Sequence, residues 1–376
     1  MSKVKYLDGV RGIAAFIVFI HHFTLAFMPL LFWGDPNRFE GESFKKLIHD
    51  TPIGIIINGN FAVCMFFVLS GFVLSYKFFL TGEAKIITSS AFRRYIRLGL
   101  PVFVSVMISY FILKAGGYFN KEVARMTGSK WFMDFWGFEP NLFSAIKNGL
   151  YGALIKGDNT YNSVLWTLKW ELFGSFIVYS FLMIFGKSPK RHLAYIISVF
   201  LAWDSYYLAF ILGMMICDIH VNKKWLSIKN KFILYTLLIV GVYIGSTPVD
   251  YTQNIGYKYL YPDIIMNQFF VLSHIIGAFL IIVFTLNSSR LQKLLSTKPF
   301  TFLGDISYSL YLLHLLVIGS FSAYLFKTLI LSNISYKLSY TLTLLVTTIL
   351  IFFLSYFYHR FVDRRSIELS KRFFMD

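Results

Sequence analysis

The sequence predicts an all-α integral membrane protein, a bundle of about ten transmembrane helices with both termini in the cytoplasm. Three observations support this fold class. The 376-residue chain is 56% hydrophobic and 19% aromatic, with a mean hydropathy of +0.61, a composition typical of a membrane protein rather than a soluble one. Apolar runs recur along the whole length, and basic residues concentrate in alternate loops. Bilayer, not water, is therefore the main solvent of this chain.

The apolar runs predict ten spans, and we expect one transmembrane domain over residues 1–376 with no appended soluble domain. The predicted spans are 10–30, 53–76, 98–114, 163–186, 192–204, 205–218, 231–247, 264–286, 300–325 and 338–359. The longer loops 31–52 and 115–162 fall on the side opposite the N-terminus. Either a substrate-facing vestibule or a solvated cover is compatible with their balanced charge.

The formal net charge of +17 follows the loops rather than forming a nucleic-acid-binding patch. Loops on the side of the N-terminus carry about two-thirds of the Lys and Arg residues, which is the positive-inside pattern. The sequence therefore predicts cytoplasmic termini, contact with membrane lipid and no nucleic-acid partner.

Arg11 and His22 interrupt the first apolar run, GVRGIAAFIVFIHHFTLAFMPLLFW. Ionisable groups are costly in hydrocarbon, so their presence in a span indicates function by default. Eleven residues make almost three helical turns and a rise of about 16 Å. Arg11 should therefore lie near one membrane surface, and His22 on the same helix face near the midplane. A hydrogen-bonded core histidine is the alternative reading of His22.

The second span ends in FFVLSGFVLSYKFF, where Ser70 and Gly71 are small residues suited to close helix packing. The following loop leads into AFRRYIRLGLP, in which Arg93, Arg94 and Arg97 share a helix face. Guanidinium groups match phosphate oxygens bidentately, so this cluster suits a polyphosphate ligand. An anchor for lipid headgroups explains the same spacing equally well.

The fourth span opens with YNSVLWTLKWELFGSF, and Ser163, Thr167 and Glu171 recur in it every four residues. A carboxylate inside a membrane needs a partner, and we expect His22, at a similar depth, to fill that role. Glu171 would then orient the imidazole, as the third member of a catalytic triad does. A structural ion pair with Lys169 or Arg11 is the alternative. Trp166 is expected to pack or to lie in the interfacial belt.

The ninth span, FLGDISYSLYLLHLLVIGS, places Ser307, Tyr311 and His314 on one polar face. That face can be structural or can contribute to a catalytic site. His274 is isolated in the eighth span, which favours a hydrogen-bonded core group. No paired His or Cys spacing suggests a metal site, so none is expected.

These elements together resemble the acyltransferase family 3 membrane proteins. The matching segments, in chain order, are LDGVRG followed by His22; FF-x-L-S-G-F at Phe66, Phe67, Ser70 and Gly71; RYIR at Arg94 and Arg97; S-x-x-W-T-L-x-x-E at Ser163, Trp166, Leu168 and Glu171; and GDISYSLYLLH at Ser307, Tyr308, Tyr311 and His314. The position of Pro101 and the presence of Arg365 depart from many members, which bears on subgroup and substrate.

The resemblance implies an O-acyltransferase that uses acyl-coenzyme A, usually acetyl-coenzyme A, as donor and the hydroxyl of a carbohydrate or lipid-linked glycan as acceptor. It implies that Arg94 and Arg97, with Arg11 and Arg93, hold the coenzyme phosphates. His22 would act on the acyl transfer, either as general base or by carrying the acyl group, with Glu171 in support. Ser70, Ser163, Trp166, Tyr311 and His314 are the supporting or substrate-facing candidates. The expected location is the bacterial cytoplasmic membrane.

A transporter that relays protons through His22, Glu171 and His314 is the alternative function. The chain lacks a recognisable pair of half-repeats, and the arginine cluster is suited to binding a soluble anionic ligand. Both observations favour the enzyme.

Overall fold

Long α-helices follow the predicted apolar runs through the protein. The structure is a computed structural model that describes residues 4–33, 48, 50–223, 228–249, 257 and 266–374. The main helices are α1 (Lys5–Phe27), α2 (Gly59–Thr81), α3 (Ala84–Lys114), α4 (Trp166–Phe185), α5 (Arg191–Ala202), α6 (Tyr207–Asp218), α7 (Lys231–Gly245), α8 (Met266–Asn287), α9 (Lys298–Val317) and α10 (Tyr336–Tyr358). The described residues contain no strand, which confirms the all-α prediction.

Seven of the described helical segments are long and apolar enough to cross a membrane. They comprise all or most of α1, α2, α3, α4, α8, α9 and α10, each of which overlaps a predicted span. The helices α5, α6 and α7 are shorter apolar helices, so the count of ten spans stays a prediction, as does the location of the termini. Much of loop 31–52, and residues 264 and 265 of the eighth span, lie outside the described residues.

The second predicted span becomes a helix with a defined start and end. The Asn58 side chain accepts a hydrogen bond from the Phe61 amide (3.0 Å) and so satisfies one of the free N–H groups of the first turn. Gly82 ends the helix in the left-handed conformation, φ 71°, which a residue without a Cβ adopts at little cost.

Helix α3 begins fourteen residues before the predicted span at 98, so the three arginines project from a continuous helix rather than from a loop. Pro101 lies inside this helix and lacks the N–H that would bond to the Arg97 carbonyl. The Ser366 hydroxyl donates to that carbonyl instead (3.3 Å). The C-terminal helix Arg364–Phe374 is thereby joined to α3 beside the arginine cluster.

Helix α1 packs along α9 and α2, and close helix approaches fix this core. A Cβ on Gly12 would lie 2.6 Å from the Gly304 amide nitrogen of α9, and one on Gly71 would lie 2.1 Å from the Phe210 carbonyl oxygen of α6. Neither distance leaves room for a side chain, so the glycines let backbones touch. The packing prediction for Gly71 is confirmed.

The segment 115–162 contains several short helices, Asn120–Thr127, Lys130–Met133 and Leu142–Lys147, followed by the π-helical turns Asn148–Lys156. It is tied to the end of α1, because the Ser129 hydroxyl donates to the Leu25 carbonyl (2.6 Å) and the Thr127 hydroxyl to the Ala26 carbonyl (2.9 Å). This segment therefore covers one end of the helix that carries His22.

Candidate active site

Two neighbouring cavities lie between the core helices. The first, the arginine cavity, has a volume of about 230 Å³ and is lined by Arg11, Arg94, Arg97 and Glu171 among others. The second, the histidine cavity, measures about 310 Å³, and its described lining includes His22. Among the described residues, Val63 and Tyr311 line both cavities. The two cavities are thus separated by a wall that these two side chains help to form.

Helix α1 runs past both cavities, since His22 faces the histidine cavity and Arg11 the arginine cavity. The segment ending in α4 does the same, with Ser163 in the histidine cavity and Glu171, two turns further on, in the arginine cavity. The polar stripe along α4 therefore connects two environments rather than lining a single site.

His22 forms a hydrogen bond through one ring nitrogen to His314: the Nδ1 of His22 lies 2.8 Å from the Nε2 of His314. The Nδ1 of His314 lies 2.9 Å from the Leu310 carbonyl, and a carbonyl only accepts, so this Nδ1 carries a proton. In the neutral pair, His314 Nε2 is therefore an acceptor and His22 Nδ1 a donor. The lone pair of His22 resides on Nε2.

One face of the His22 ring stacks on the indole of a tryptophan. The ring of Trp131, from the segment that covers α1, is nearly parallel to the imidazole, with centroids 5.3 Å apart and planes 9° apart. The stack and the His314 bond hold the imidazole in one orientation. An oriented ring with a basic nitrogen is what acid–base chemistry requires.

Glu171 does not pair with His22, and this expectation is wrong. Its carboxylate forms a close ion pair with Arg94 and accepts a hydrogen bond from the Ser70 hydroxyl (2.8 Å). The alternatives Lys169 and Arg11 are not its partners either. Hydropathy places residues by depth, whereas the partner of Glu171 is set by the helices that pack against α4, which include α2 and α3. His314 supports His22 instead.

The four candidate arginines have different surroundings. Arg94 is buried and held by Glu171 and by the Ser175 hydroxyl (2.8 Å), while Arg11 pairs with Asp8 at 3.4 Å. Arg93 does not line the cavity, because its guanidinium bonds to the Ser89 carbonyl of its own helix (3.0 Å). Its predicted role in phosphate binding is therefore not supported by its position.

Arg97 lines the arginine cavity, is exposed, and makes no side-chain hydrogen bond or ion pair with the part of the chain that the structure describes. Its five N–H donors are available to a ligand. An unpaired guanidinium at the mouth of a cavity is the arrangement that binds a phosphate bidentately.

The remaining candidates divide between the cavities. Ser70 lines the arginine cavity, and Ser163 and Trp166 line the histidine cavity. Trp166 packs against Tyr206, with ring centroids 5.5 Å apart, consistent with the packing role expected for it. His314 is completely buried and reaches the site through His22.

A family model described as an acyltransferase domain matches residues 4–360. The chain belongs to acyltransferase family 3. Its membrane helices and family together identify it as a membrane acyltransferase.

Three curated fungal acyltransferases are similar to this family member over most of their length. It is 26% identical to O-acetyltransferase PaAT-1 of Phomopsis amygdali, covering 99% of this chain and 84% of the relative. Acyltransferase R4 of a Phoma species is 24% identical, covering 87% and 85%, and acyltransferase clz18 of Cochliobolus lunatus is 23% identical, covering 86% and 84%. No solved structure matches the chain.

Some lining residues of this acyltransferase were not singled out from the sequence. His359 and Asp363 line the arginine cavity, and the His359 Nδ1 lies 2.9 Å from the Asp363 carboxylate. Their i, i+4 spacing at the end of the last span was the available signal. Trp131 gave no such signal, because its segment carries no span or periodic pattern that points to His22.

The lone histidine of α8 has the predicted structural role. The Nδ1 of His274 bonds to Asn60 (2.9 Å), and its Nε2 contacts the Asn58 amide and the Thr247 carbonyl, both at 3.0 Å. Both asparagines line the histidine cavity, so this network stiffens its wall.

Proposed function

We propose that this membrane acyltransferase transfers an acyl group, acetyl in the first instance, from acyl-coenzyme A to the hydroxyl of a carbohydrate or another exported acceptor. The observation that carries the proposal is the juxtaposition of the two cavities. One offers an unpaired arginine, the other an oriented histidine with a free basic nitrogen, and the two share a wall at Tyr311.

The arginine cavity is the donor side in this proposal. The coenzyme is polyanionic, and Arg97 can bind its phosphates without giving up an existing partner. Arg94 has a different role, since it neutralises Glu171 within the protein. Arg11, paired with Asp8, adds positive charge at the same cavity.

The histidine cavity is the acceptor side. The side chains of Ser163, Trp131 and Trp166 line it and make no hydrogen bonds with the described residues, so a hydroxyl and two indole N–H groups are open to a ligand. Flat aromatic rings with a few polar groups suit a compound that carries both apolar faces and hydroxyls. Carbohydrates and lipid-linked glycans belong to this class.

His22 acts as general base in the proposed reaction. Its Nε2 takes the proton from the acceptor hydroxyl while that oxygen attacks the thioester carbon. The carbon–sulfur bond then breaks, and the coenzyme thiolate leaves with the proton from Nε2. Direct transfer is favoured over an acyl-histidine because His22 lines the acceptor cavity and is not among the residues that line the donor cavity.

The proposal places the donor side in the cytoplasm, as the positive-inside distribution predicts. The three curated relatives are fungal, so a bacterial cytoplasmic membrane remains a prediction from the sequence. The family assignment weighs against the alternative of a proton-coupled transporter.

The transfer test uses membranes that contain the protein, incubated with acetyl-coenzyme A labelled in its acetyl group. We expect label to enter an organic-soluble or glycan fraction with the parent protein and the incorporation to fall by at least about 100-fold with His22→Ala. The exposed His192 serves as the matched control, and His192→Ala should retain transfer. Equal incorporation by parent and His22→Ala would exclude the catalytic assignment, and label retained on the protein would favour the acyl-histidine route.

The donor test compares Arg97→Ala with Arg93→Ala for binding of acetyl-coenzyme A to the purified protein in nanodiscs. A hydrogen bond to a charged group contributes about 1.5–3 kcal/mol, so Arg97→Ala should weaken binding by about 10- to 100-fold. Arg93→Ala removes the same charge from the same helix turn but not from the cavity. Unchanged binding by Arg97→Ala would return the cluster to the role of a headgroup anchor, and an equal loss in both variants would contradict a specific role for Arg97.

A further inference from the structure

We propose that Tyr311 and Val63 set the length of the acyl group that this protein accepts. The inference rests on the proposed function, because it requires that the donor occupies the arginine cavity. Among the described residues, these two line both cavities. Whatever passes from the donor side to His22 must therefore pass between or beside them.

Tyr311 is fixed in place rather than free to swing. Its hydroxyl donates to the Val164 carbonyl (2.9 Å) and lies 2.7 Å from the Thr167 hydroxyl. Phe66 from α2 contacts the ring edge-on, with centroids 6.0 Å apart. With only 7% of its surface exposed, the tyrosine forms a rigid part of the wall.

Tyr311 also lies next to the proposed catalytic pair of His22 and His314. The ring of Tyr311 lies 5.9 Å from that of His314, which bonds to His22. A thioester reaching His22 from the arginine cavity therefore brings its carbonyl carbon to this ring, and the acyl chain must fit in the space that remains. A fixed ring leaves room for a short chain and opposes a long one.

The neighbouring valine narrows the same passage. Val63 is 6% exposed and comes from α2, the helix whose Phe66 contacts the ring of Tyr311. A β-branched side chain has few rotamers to adopt, so Val63 cannot turn aside for a longer ligand. Two stiff side chains from two different helices make this point the size filter of the path.

The test measures the dissociation constants of acetyl- and hexanoyl-coenzyme A for the purified protein in nanodiscs. A misfit of several methylenes in a tight pocket costs about tenfold or more, so the parent should bind hexanoyl-coenzyme A at least about tenfold more weakly. Tyr311→Ala should reduce the ratio of the hexanoyl- to the acetyl-coenzyme A dissociation constant to near one. Tyr311→Phe keeps the ring, which burial and the contact with Phe66 still hold in place, and loses only the hydroxyl, so its ratio should stay close to that of the parent.

Val63→Ala should lower the same ratio of dissociation constants in part. This variant tests the proposal if Tyr311→Ala does not fold. Ratios in Tyr311→Ala and Val63→Ala equal to the parent's, or a parent that binds both thioesters equally, would overturn the size filter and leave the proposed function standing. A parent that binds neither thioester would overturn both proposals. The outcomes are therefore distinguishable in one set of measurements.

Discussion

At His22, the protein uses one imidazole nitrogen and leaves the other open. The Nδ1 bonds to His314, which in turn bonds to the Leu310 carbonyl. This chain of donors and acceptors decides which nitrogen carries the lone pair, as a carboxylate does in the more familiar triads. A histidine in that role, rather than a carboxylate, keeps a fixed negative charge away from His22.

The first residue-scale prediction concerns His314. His314→Phe removes the acceptor for the His22 Nδ1–H, so we expect kcat for acetyl transfer to fall by about 100-fold with little change in KM for the acetyl donor. His314→Gln retains a side-chain acceptor and should recover part of that loss. Steady-state kinetics of both variants, compared with the parent, give the answer; a parent-like kcat in His314→Phe would mean that His314 only fills space.

Glu171 illustrates how a buried charge complicates mutational analysis. Its ion pair with Arg94 is largely hidden from solvent, with side-chain exposures of 17% and 7%. Removing one partner of such a pair leaves an uncompensated charge, at a typical cost of about 3–5 kcal/mol. A loss of activity in Glu171→Gln would therefore reflect the stability of the arginine cavity before it reflected catalysis.

At the scale of helices, contact between α2 and α6 depends on glycines on both sides. A Cβ on Gly71 would meet the Phe210 carbonyl, and one on Gly213 would lie 2.0 Å from the Val68 carbonyl oxygen. The two helices therefore touch through their backbones at two places. Because α2 also carries Ser70 and Val63, this contact helps to define the shape of both cavities.

The element-scale prediction is that Gly71→Ala destabilises the protein by about 1–3 kcal/mol, since the added methyl group must push two backbones apart. Gly99→Ala is the matched control, because the methyl group would there meet only side-chain atoms, the Leu154 Cδ1 at 3.1 Å and the Tyr95 ring at 3.8 Å, and no backbone of a neighbouring helix. Thermal unfolding of the purified protein in detergent compares them. Similar unfolding temperatures for the two variants would contradict the rigid contact.

At the scale of the whole molecule, the presence of two cavities predicts that coenzyme A binding and acyl transfer can be blocked separately. Ser163→Cys places a thiol in the histidine cavity and Leu74→Cys one in the arginine cavity, and the native Cys64 and Cys217 are buried. We expect maleimide modification of Ser163→Cys to block transfer and spare coenzyme A binding. Coenzyme A should protect Leu74→Cys from the reagent; equal protection of both positions would show that they belong to one continuous site.

The sequence predicted much of this arrangement, and the misses share a physical cause. Hydropathy and helical spacing give the position of a residue along a span, so the placement of Arg11 and His22 at different levels of α1 was predictable. Which side chains meet depends on the neighbours and rotation of each helix. For that reason the Arg94–Glu171 pair, the unpaired state of Arg97 and the stacking of Trp131 became visible only in three dimensions.

The stack of Trp131 on His22 has a consequence for competition between acceptors. Any transferase that activates a hydroxyl can also activate water, which would hydrolyse the thioester. An indole lying flat against the imidazole removes one face of that ring from solvent and leaves an apolar surface beside it. The partition between transfer and hydrolysis would then be governed by a residue that takes up no proton in the reaction.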